Sequence, residues 1–480
     1  MTHSAPRTAV SSRPLVVDLD GTAIVTDLLY ESILALVRFR PWCCLWLPWW
    51  LFRGKAAFKR KLAEVIVPDF SSIPVNKPFL DWVAAEKSKG RLVVLSSASD
   101  QILVDGFVLH HPIFDAAHGS DGVTNNGSAN KRVRLETEFG VGGFDYAGNA
   151  RADLNVWCAA GHVHMVEVSS RLVRRVQRLG KPMTTHSVKN FPIQPFFRAL
   201  RPQQWLKNLL IFVPLITAHV LEPGLWGGAL LAFLAMSLIA SGVYIANDLI
   251  DLAADREHPR KRFRPFASGR LPLPVGMVAS PVLMFSGLLI AASVSIDLFW
   301  VLSLYLALTT IYSFWLKRLA LIDVFLLASL YTLRLVAGGI AVAVILSEWL
   351  LAFSIFVFLS LAILKRYGEL TDAARNARAP TPGRGYESED LDLLLSLAVA
   401  SAFSAVLIFS LYISSETVVA LYKAPVFLWG SSLVILLWLC HMLLVTHRGH
   451  MHDDPLVFAV TDRLSLGLGV LFAAFFLLAV

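Results

Sequence analysis

The chain has 480 residues, of which 56% are hydrophobic and only 16% charged, against roughly 25% charged residues in a soluble protein. With a mean hydropathy of +0.60, this excludes a wholly soluble enzyme and a disordered chain, and four cysteines, two of them adjacent at Cys43 and Cys44, exclude a disulfide scaffold. The net charge of +8 is not gathered into one stripe, so no nucleic acid partner is expected; the excess suits anionic headgroups or phosphate-bearing substrates.

Two composition regimes divide the chain. Residues 1–190 mix charged and apolar stretches, as an α/β domain does, whereas 191–480 form a series of apolar runs, as an all-α membrane domain does. Met1 to Ser12 carry no apolar h-region, so no signal peptide is expected there. Pro14 to Val17 has strand character and ends in Asp18-Leu19-Asp20-Gly21-Thr22. Arg91 to Leu95 ends in Ser96-Ser97-Ala98-Ser99, and a third strand near Phe144 to Ala147 ends in Gly148-Asn149, with Asp153 following. Helical patterns between them predict a parallel sheet with helices on its faces. In such sheets ligands bind at the carboxyl ends of strands, so the three polar clusters should meet at one edge.

Two carboxylates one residue apart at a strand end point the same way. One can attack a phosphoryl group while the other handles the leaving-group proton. Magnesium would offset the charge of carboxylates and phosphate together, Lys131 can neutralise a phosphate oxygen, and Ser97 can hydrogen-bond another. These motifs, in this order over about 170 residues, resemble the haloacid dehalogenase-like (HAD) phosphatase superfamily. The resemblance implies Asp18 as nucleophile and Asp20 as general acid/base. It implies Ser97 rather than Ser96 as the second-motif hydroxyl, Lys131 as the third-motif lysine, and Mg2+ held by Asp18, Asp20, Asn149 and Asp153. The fourth motif usually begins with an acid; Asn149 keeps an oxygen ligand but not the charge.

The insertion at 23–85 reads as a helical cap. Its stretch from Pro41 to Phe52 contains Trp42, Trp46, Trp49 and Trp50, with Arg38, Arg40, Arg53 and Lys55 around it. It is too short to span a bilayer; it suits an interfacial segment or a cap packed against the membrane domain. Cys43 and Cys44 read as packing residues.

From about residue 205, apolar runs place nine membrane spans near 206–221, 226–249, 275–294, 297–316, 321–345, 348–365, 391–413, 425–446 and 457–479. Basic residues collect in alternate loops. Arg256, Arg260, Lys261, Arg262, Arg264 and Arg270 follow the second span, Lys317 and Arg318 the fourth, and Lys365, Arg366, Arg375, Arg378 and Arg384 the sixth; Lys423 is the exception on the other side. The positive-inside rule puts these loops and the N-terminal domain on the cytoplasmic side of an inner membrane, with Val480 outside.

The second span ends in Asn247-Asp248-Leu249-Ile250-Asp251, with Asp255 one turn on and His258 to Pro265 rich in Lys and Arg. At 100° per residue, Asp248, Asp251 and Asp255 share one helical face. Helix stability does not favour three like charges there; divalent cations bridging to a diphosphate resolve the repulsion, and the adjacent basic residues suit phosphate oxygens. The motif looks like the first aspartate-rich motif of the UbiA superfamily of intramembrane prenyltransferases, over roughly 195–480. That likeness implies a nine-helix bundle, a prenyl diphosphate donor and Mg2+. Where those proteins carry a second aspartate motif, this chain reads Lys365-Arg366-Tyr367-Gly368-Glu369-Leu370, positive instead of negative.

Arg201-Pro202-Gln203-Gln204-Trp205-Leu206-Lys207-Asn208, His258 to Pro265, Tyr312 to Lys317, Asp323 and Arg334 are similar to decaprenyl-phosphate phosphoribosyltransferases. That branch implies transfer of a 5-phosphoribosyl group from phosphoribosyl diphosphate to a polyprenyl phosphate. Lys207, Asn208, Asn247, Lys261, Arg264, Tyr312, Lys317, Asp323, Arg334, Lys365, Arg366 and Glu369 are then the candidate substrate-binding residues. The fused phosphatase would remove the 5-phosphate, tethering raising the effective concentration of its site. The rivals are a prenyl diphosphate-dependent transferase with an aromatic or other acceptor, and a non-catalytic membrane scaffold. The segment 371–390, with Pro380, Pro382 and Gly383, reads as a mobile loop, and His441, His447, His450 and His452 as loop or membrane-edge histidines rather than a metal site.

Overall fold

The computed structural model describes residues 13–188, 193–219, 222–375, 385–416, 418, 422–451 and 454–480. Two compact units divide the chain: Met1–Ala199 with Ile245–Ala279, and Leu200–Tyr244 with Ser280–Val480. The segment carrying the three aspartates thus belongs to the same unit as the N-terminal residues.

The first unit is built on a six-stranded parallel sheet, β1 (Leu15–Val17), β2 (Val93–Asp100), β3 (Ala116–Ser120), β4 (Asp145–Gly148), β5 (His162–Met165) and β6 (Met183–Thr185), in the order β3-β2-β1-β4-β5-β6. The three expected strands are β1, β2 and β4; β2 runs longer than expected and carries the serines within it. Alternation along the strands supplies two cores. Leu15, Val17, Val93 and Leu95 pack on one face with Leu103, Val104 and Phe107, while Val16 and Val94 pack on the other with Tyr146, Val156 and Trp157. Chain order reverses between β1 and β4, the switch point where doubly wound sheets bind ligands. Arg91 ties this layer together: its guanidinium pairs with Asp145 and Glu86, and its Nε donates to the Arg13 carbonyl at 2.8 Å.

The insertion is helical as expected, with helices Leu28–Phe39, Leu47–Phe52, Lys55–Val65 and Lys77–Ser88 and a 3-10 segment Pro41–Trp46. Its tryptophan-rich part presents an apolar surface: Trp42, Leu45, Trp46, Trp49, Leu51 and Phe52 are all exposed, while Trp50 and both cysteines pack beneath on Leu36, Phe58 and Leu62.

Seven helices are long and apolar enough to cross a membrane among the described residues: Pro223–Ile250, Leu273–Val294, Ile296–Phe314, Ile322–Ala341, Glu348–Arg375, Ser388–Ile413 and Val426–His447. They coincide with the second to eighth of the nine expected spans. The first takes another form. It is a 3-10 helix, Pro202–Phe212, followed by the short helix Val213–Thr217. Pro214 cannot donate to a helical ladder, and no continuous span develops there. The ninth is divided: Pro455–Ala459 stops, and Asp462 caps a new 17-residue helix, Arg463–Ala479. The sixth helix continues to Arg375, five residues into the segment expected to be a loop. Residues 376–384, including Arg378, Pro380, Pro382, Gly383 and Arg384, lie outside the described residues, as do Met1 to Ser12 and His452.

The β5–β6 edge yields a pH prediction. His164 on β5 lies beside His162, His186 and Trp82. Burial, reinforced by the two histidines and Arg91, pushes His164 down to about 2. The unfolded chain accepts a proton near pH 6.5 that the folded strand refuses. Stability should therefore fall below that pH, by about 1.4 kcal/mol per pH unit for this residue. Thermal melts of the full chain between pH 7.5 and 5 should show this fall, and His164→Gln should flatten it; identical slopes in both proteins would contradict the assignment.

Candidate functional site

The first constellation sits at the β1–β4 switch point. Asp18 ends β1, buried, and its Oδ1 accepts from Lys131 Nζ at 2.6 Å. Lys131, from the helix Ser128–Phe139, also donates to the Ser96 carbonyl at 2.8 Å and to the Tyr146 hydroxyl at 2.9 Å. Tyr146 donates in turn to Asp153 Oδ1 at 2.9 Å, and Asp153 Oδ2 accepts the backbone N–H groups of Asn149 and Ala150 at 3.0 and 2.9 Å. Asp153 therefore acts here as the brace of the Asn149 loop. Asp20 is held from both sides: Oδ1 accepts from the Leu28 N–H at 2.8 Å, and Oδ2 from the hydroxyls of Ser97 and Ser99 at 3.0 and 2.8 Å. Gly21, at φ +76°, lies against the Asn149 amide, where any Cβ would collide with that side chain.

Burial raises the Asp18 carboxyl to about 7 against the pull of Lys131, with Asp153 and Asp20 adding to the rise. A pocket with this much negative charge suits a cation beside Asp18 and Asp20. Beside it opens a cavity of about 350 Å³ lined by Asp20, Asp27, Tyr30, Asn149, Phe266 and Leu271, among others. Lys59, from the inserted helix Lys55–Val65, donates to the Ala98 carbonyl at 2.5 Å and to Asn125 Oδ1 at 3.0 Å. Its ammonium is pushed down by burial, against the opposing pull of Asp20 and Asp27. Lys59, Ser99 and Tyr146 are residues that motif reading did not single out.

The second constellation is the aspartate-rich segment. Asp248 lies on the last turn of Pro223–Ile250, and Asp255 on the helix Leu252–Glu257. The backbone steps Asp251 N–H to Asn247 and Asp255 N–H to Asp251, at 2.9 and 2.8 Å, carry the turn through. Asp248 and Asp255 are buried and converge on one atom: Arg264 Nη1 lies 3.1 Å from Asp248 Oδ1 and 2.5 Å from Asp255 Oδ2. Burial pushes the Asp255 carboxyl up, and Arg264 pulls it down. Asp251 is half-buried, 3.7 Å from Arg38 Nη1, and Arg38 also donates to the Ile250 carbonyl at 3.0 Å. Arg256 forks onto Glu31 at 3.1 and 2.6 Å, and Thr26 donates to the same carboxylate at 2.7 Å. Asn247 is half-buried, as is Lys261, which opens the turn Lys261–Phe263. Among the described residues no three His, Cys, Asp or Glu side chains are grouped to hold a metal ion. Yet the convergence of Asp248 and Asp255 on one cationic nitrogen shows that this pair fits a cation.

The second unit buries the remaining candidates in two networks. In one, Arg366 Nε donates to Asp323 Oδ2 at 2.6 Å, Nη1 to Glu369 Oε2 at 2.7 Å and Nη2 to the Tyr312 hydroxyl at 2.9 Å, while the Tyr386 hydroxyl donates to Asp323 Oδ1 at 2.5 Å. In the other, Lys207 and Lys365 converge on Asp454 Oδ2 at 2.7 and 2.9 Å. Arg334 donates to Asn208 Oδ1 at 2.9 Å and to the Tyr305 hydroxyl at 3.0 Å, and Asn208 donates to Ser237 at 2.9 Å. Lys317 is half-buried in the turn Leu316–Arg318. Asp454 and Tyr386 carry no motif signal; only the fold brings them to these cations. Of the histidines, His441 meets Asp462 at 2.9 Å and His447 meets Tyr367 at 3.0 Å.

Comparison with known proteins gives this arrangement a family. The model of the UbiA prenyltransferase family matches residues 210–461. The uncharacterized protein y4nM of Sinorhizobium fredii is 38% identical over 472 residues, 97% of this chain and 91% of that one. Nodulation protein NoeC of Azorhizobium caulinodans is 37% identical over 276 residues, 57% of this chain and 90% of that one. The decaprenyl-phosphate phosphoribosyltransferase of Mycobacterium tuberculosis is 35% identical over 226 residues, 45% of this chain and 72% of that one. The chain belongs to the UbiA prenyltransferase family. It is a multi-pass membrane protein, and a transferase by family.

The Arg366 network supplies a stability prediction. Arg366→Leu strips the guanidinium from two carboxylates in a buried setting and should lower stability by about 3–5 kcal/mol. A thermal melt of the full chain in detergent checks this; a Tm within a degree of wild type would show that the network is not structural.

Proposed function

We propose that the membrane domain transfers a 5-phosphoribosyl group from phosphoribosyl diphosphate to a polyprenyl phosphate, and that the N-terminal domain hydrolyses the 5-phosphate from the product. The observation that carries this reading is the set of cations in the membrane unit, with Lys207, Arg334 and Arg366 buried and Lys365 beside them. A prenyl diphosphate alone presents one phosphorylated group. The proposed pair presents three: a diphosphate, a 5-phosphate and a lipid phosphate. The likeness to decaprenyl-phosphate phosphoribosyltransferases supports the same choice.

In the transfer, the bond from ribose C1 to the diphosphate breaks and a lipid phosphate oxygen forms the new bond to C1. That oxygen is already ionised, so no general base is needed. Asp248 and Asp255, with Asp251, are the residues to hold Mg2+, which when bound offsets the charge of the leaving diphosphate. Arg264 then releases the acids and is positioned to meet phosphate oxygens. Asn247, Lys261 and Lys317 flank as further polar contacts.

In the hydrolysis, Asp18 attacks the phosphorus of the 5-phosphate, the ester P–O bond breaks, and Asp20 gives its proton to the leaving ribose oxygen. Water then releases phosphate from Asp18, with Asp20 taking the proton back. Lys131 fixes the attacking carboxylate and Ser97 keeps Asp20 oriented. Mg2+ fits beside Asp18, Asp20 and Asn149. This is a HAD-type assignment, supported by the switch-point placement of Asp18 and by the Asp18–Lys131 contact. The tryptophan face of the insertion suits the headgroup level, and the basic loops suit the cytoplasmic face of an inner membrane.

Membranes bearing the full chain should label polyprenyl phosphate from phosphoribosyl diphosphate and not from a prenyl diphosphate; the reverse pattern would establish prenyl transfer instead. Asp18→Asn should keep transfer and accumulate the 5-phosphorylated lipid, whereas Asp248→Asn should lower transfer by about 100-fold or more. Loss of transfer in Asp18→Asn would contradict the division of labour.

A further inference from the structure

The membrane unit does not balance its charges evenly. Arg366 is matched by Asp323 and Glu369. Arg334, 5% exposed, is not matched in this way: its three hydrogen bonds go to Asn208 Oδ1, the Leu330 carbonyl and the Tyr305 hydroxyl, all neutral. Its guanidinium lies 5.1 Å from the centre of the Tyr331 ring, and the Lys207 ammonium lies 5.5 Å from the same ring. Lys207 and Lys365 share a single carboxylate oxygen, Asp454 Oδ2, and the Tyr331 hydroxyl reaches the other oxygen at 3.4 Å. Around Tyr331, therefore, Lys207, Lys365 and Arg334 face the directly bonded carboxylate of Asp454 among the described residues, while Glu369, paired to Arg366, acts on Lys365 without a hydrogen bond to it.

That excess is costly. A charge removed from water is stable only when compensated, and an intramembrane cation without a counter-charge marks a binding path. The missing charge is negative, the sign that the oxygens of a phosphate monoester supply. Two ammonium groups act as point charges for its oxygens, and a guanidinium adds a directed donor pair. Among the described residues Asp454 is the carboxylate that both lysines share, and a single carboxylate is a poorer match for them than a dianion. It lies between the helix Val426–His447 and the short helix Pro455–Ala459, which its side chain also caps through the Leu456 N–H. Burial would raise its carboxyl, but the two ammonium groups hold it well below the usual carboxylate range, so it stands there as an anion.

We propose that Lys207, Lys365 and Arg334 form a binding site for a phosphate monoester, and that Asp454 is its built-in competitor, neutralising the lysines until a substrate phosphate displaces it. The proposal rests on the transferase reading only for the source of that phosphate, the headgroup of a polyprenyl phosphate. The 5-phosphate of the ribosyl donor has the same chemistry and is separated by the choice of probe. Displacement leaves Asp454 free to pair elsewhere, so ligand entry exchanges one anion for another and never exposes bare lysines.

The test uses the full chain in phosphatidylcholine nanodiscs, with undecaprenyl phosphate and ribose 5-phosphate as separate probes and no donor turnover. Asp454→Asn should tighten binding of undecaprenyl phosphate by about tenfold, because a competing charge has left a desolvated site; Asp454→Glu should bind as wild type does. Tightening for ribose 5-phosphate alone would overturn the lipid assignment and give the site to the donor. Unchanged or weakened binding of both probes would overturn the proposal. If Asp454→Asn lowers Tm because the lysines repel, saturating undecaprenyl phosphate should restore at least the wild-type Tm, and failure of that rescue would count against it. Tightened binding in a chain that transfers no phosphoribosyl group would overturn the transferase reading but not the site; intact transfer with no tightening would do the opposite.

Discussion

Charge held in a water-poor interior governs this molecule. A buried ion needs a partner, and the partners chosen here describe what the protein handles. In the first unit acids gather: Asp18 and Asp20 at one end of the sheet, with Lys131 on Asp18, and Asp248 and Asp255 together on Arg264. In the second unit bases gather: Lys207, Arg334 and Lys365. Acids in one place suit metal-bound phosphates, and bases in the other suit bare ones. A chemistry of several phosphate groups on a sugar and a lipid meets both demands.

The first unit also joins its two acidic constellations through named contacts. Gly21, next to Asp20, donates its N–H to the Thr26 carbonyl, Thr26 donates to Glu31, and Glu31 takes the fork of Arg256, the residue after Asp255. The helix Leu28–Phe39 thus carries Glu31 to one side of the aspartate-rich segment and Arg38 to another. Such a contact set explains why residues 245–279 form one compact unit with the N-terminal part, although they take in the end of one membrane helix and the start of the next.

Much of this was legible in the residues. Short apolar runs ending in polar clusters, at Leu15–Val17 and Val93–Leu95, marked the central strands, and length with hydropathy marked the seven long helices. The three outer strands were not legible. Ala116–Ser120 is poor in apolar residues, and His162–Met165 and Met183–Thr185 are too short for a pattern. The first and ninth spans failed to form as single helices because Pro214 and the Asp462 cap interrupt runs that composition alone reads as continuous. At the sites, acids and bases adjacent in sequence were readable. Asp454 was not, because its role depends on lysines 247 and 89 residues away in the chain. Lys59 was hidden for the same reason: only the folded insertion brings it to the Ala98 carbonyl.

The most direct trial of this account follows the cation itself. Mn2+ titrated into the full chain, with electron paramagnetic resonance reporting the bound fraction, should show tight binding when phosphoribosyl diphosphate is present. The paired change Asp248→Asn with Asp255→Asn should weaken that binding by about tenfold or more. Equal Mn2+ binding in the variant and the wild type, with the donor present in both, would contradict the claim that these acids hold a metal-bound diphosphate.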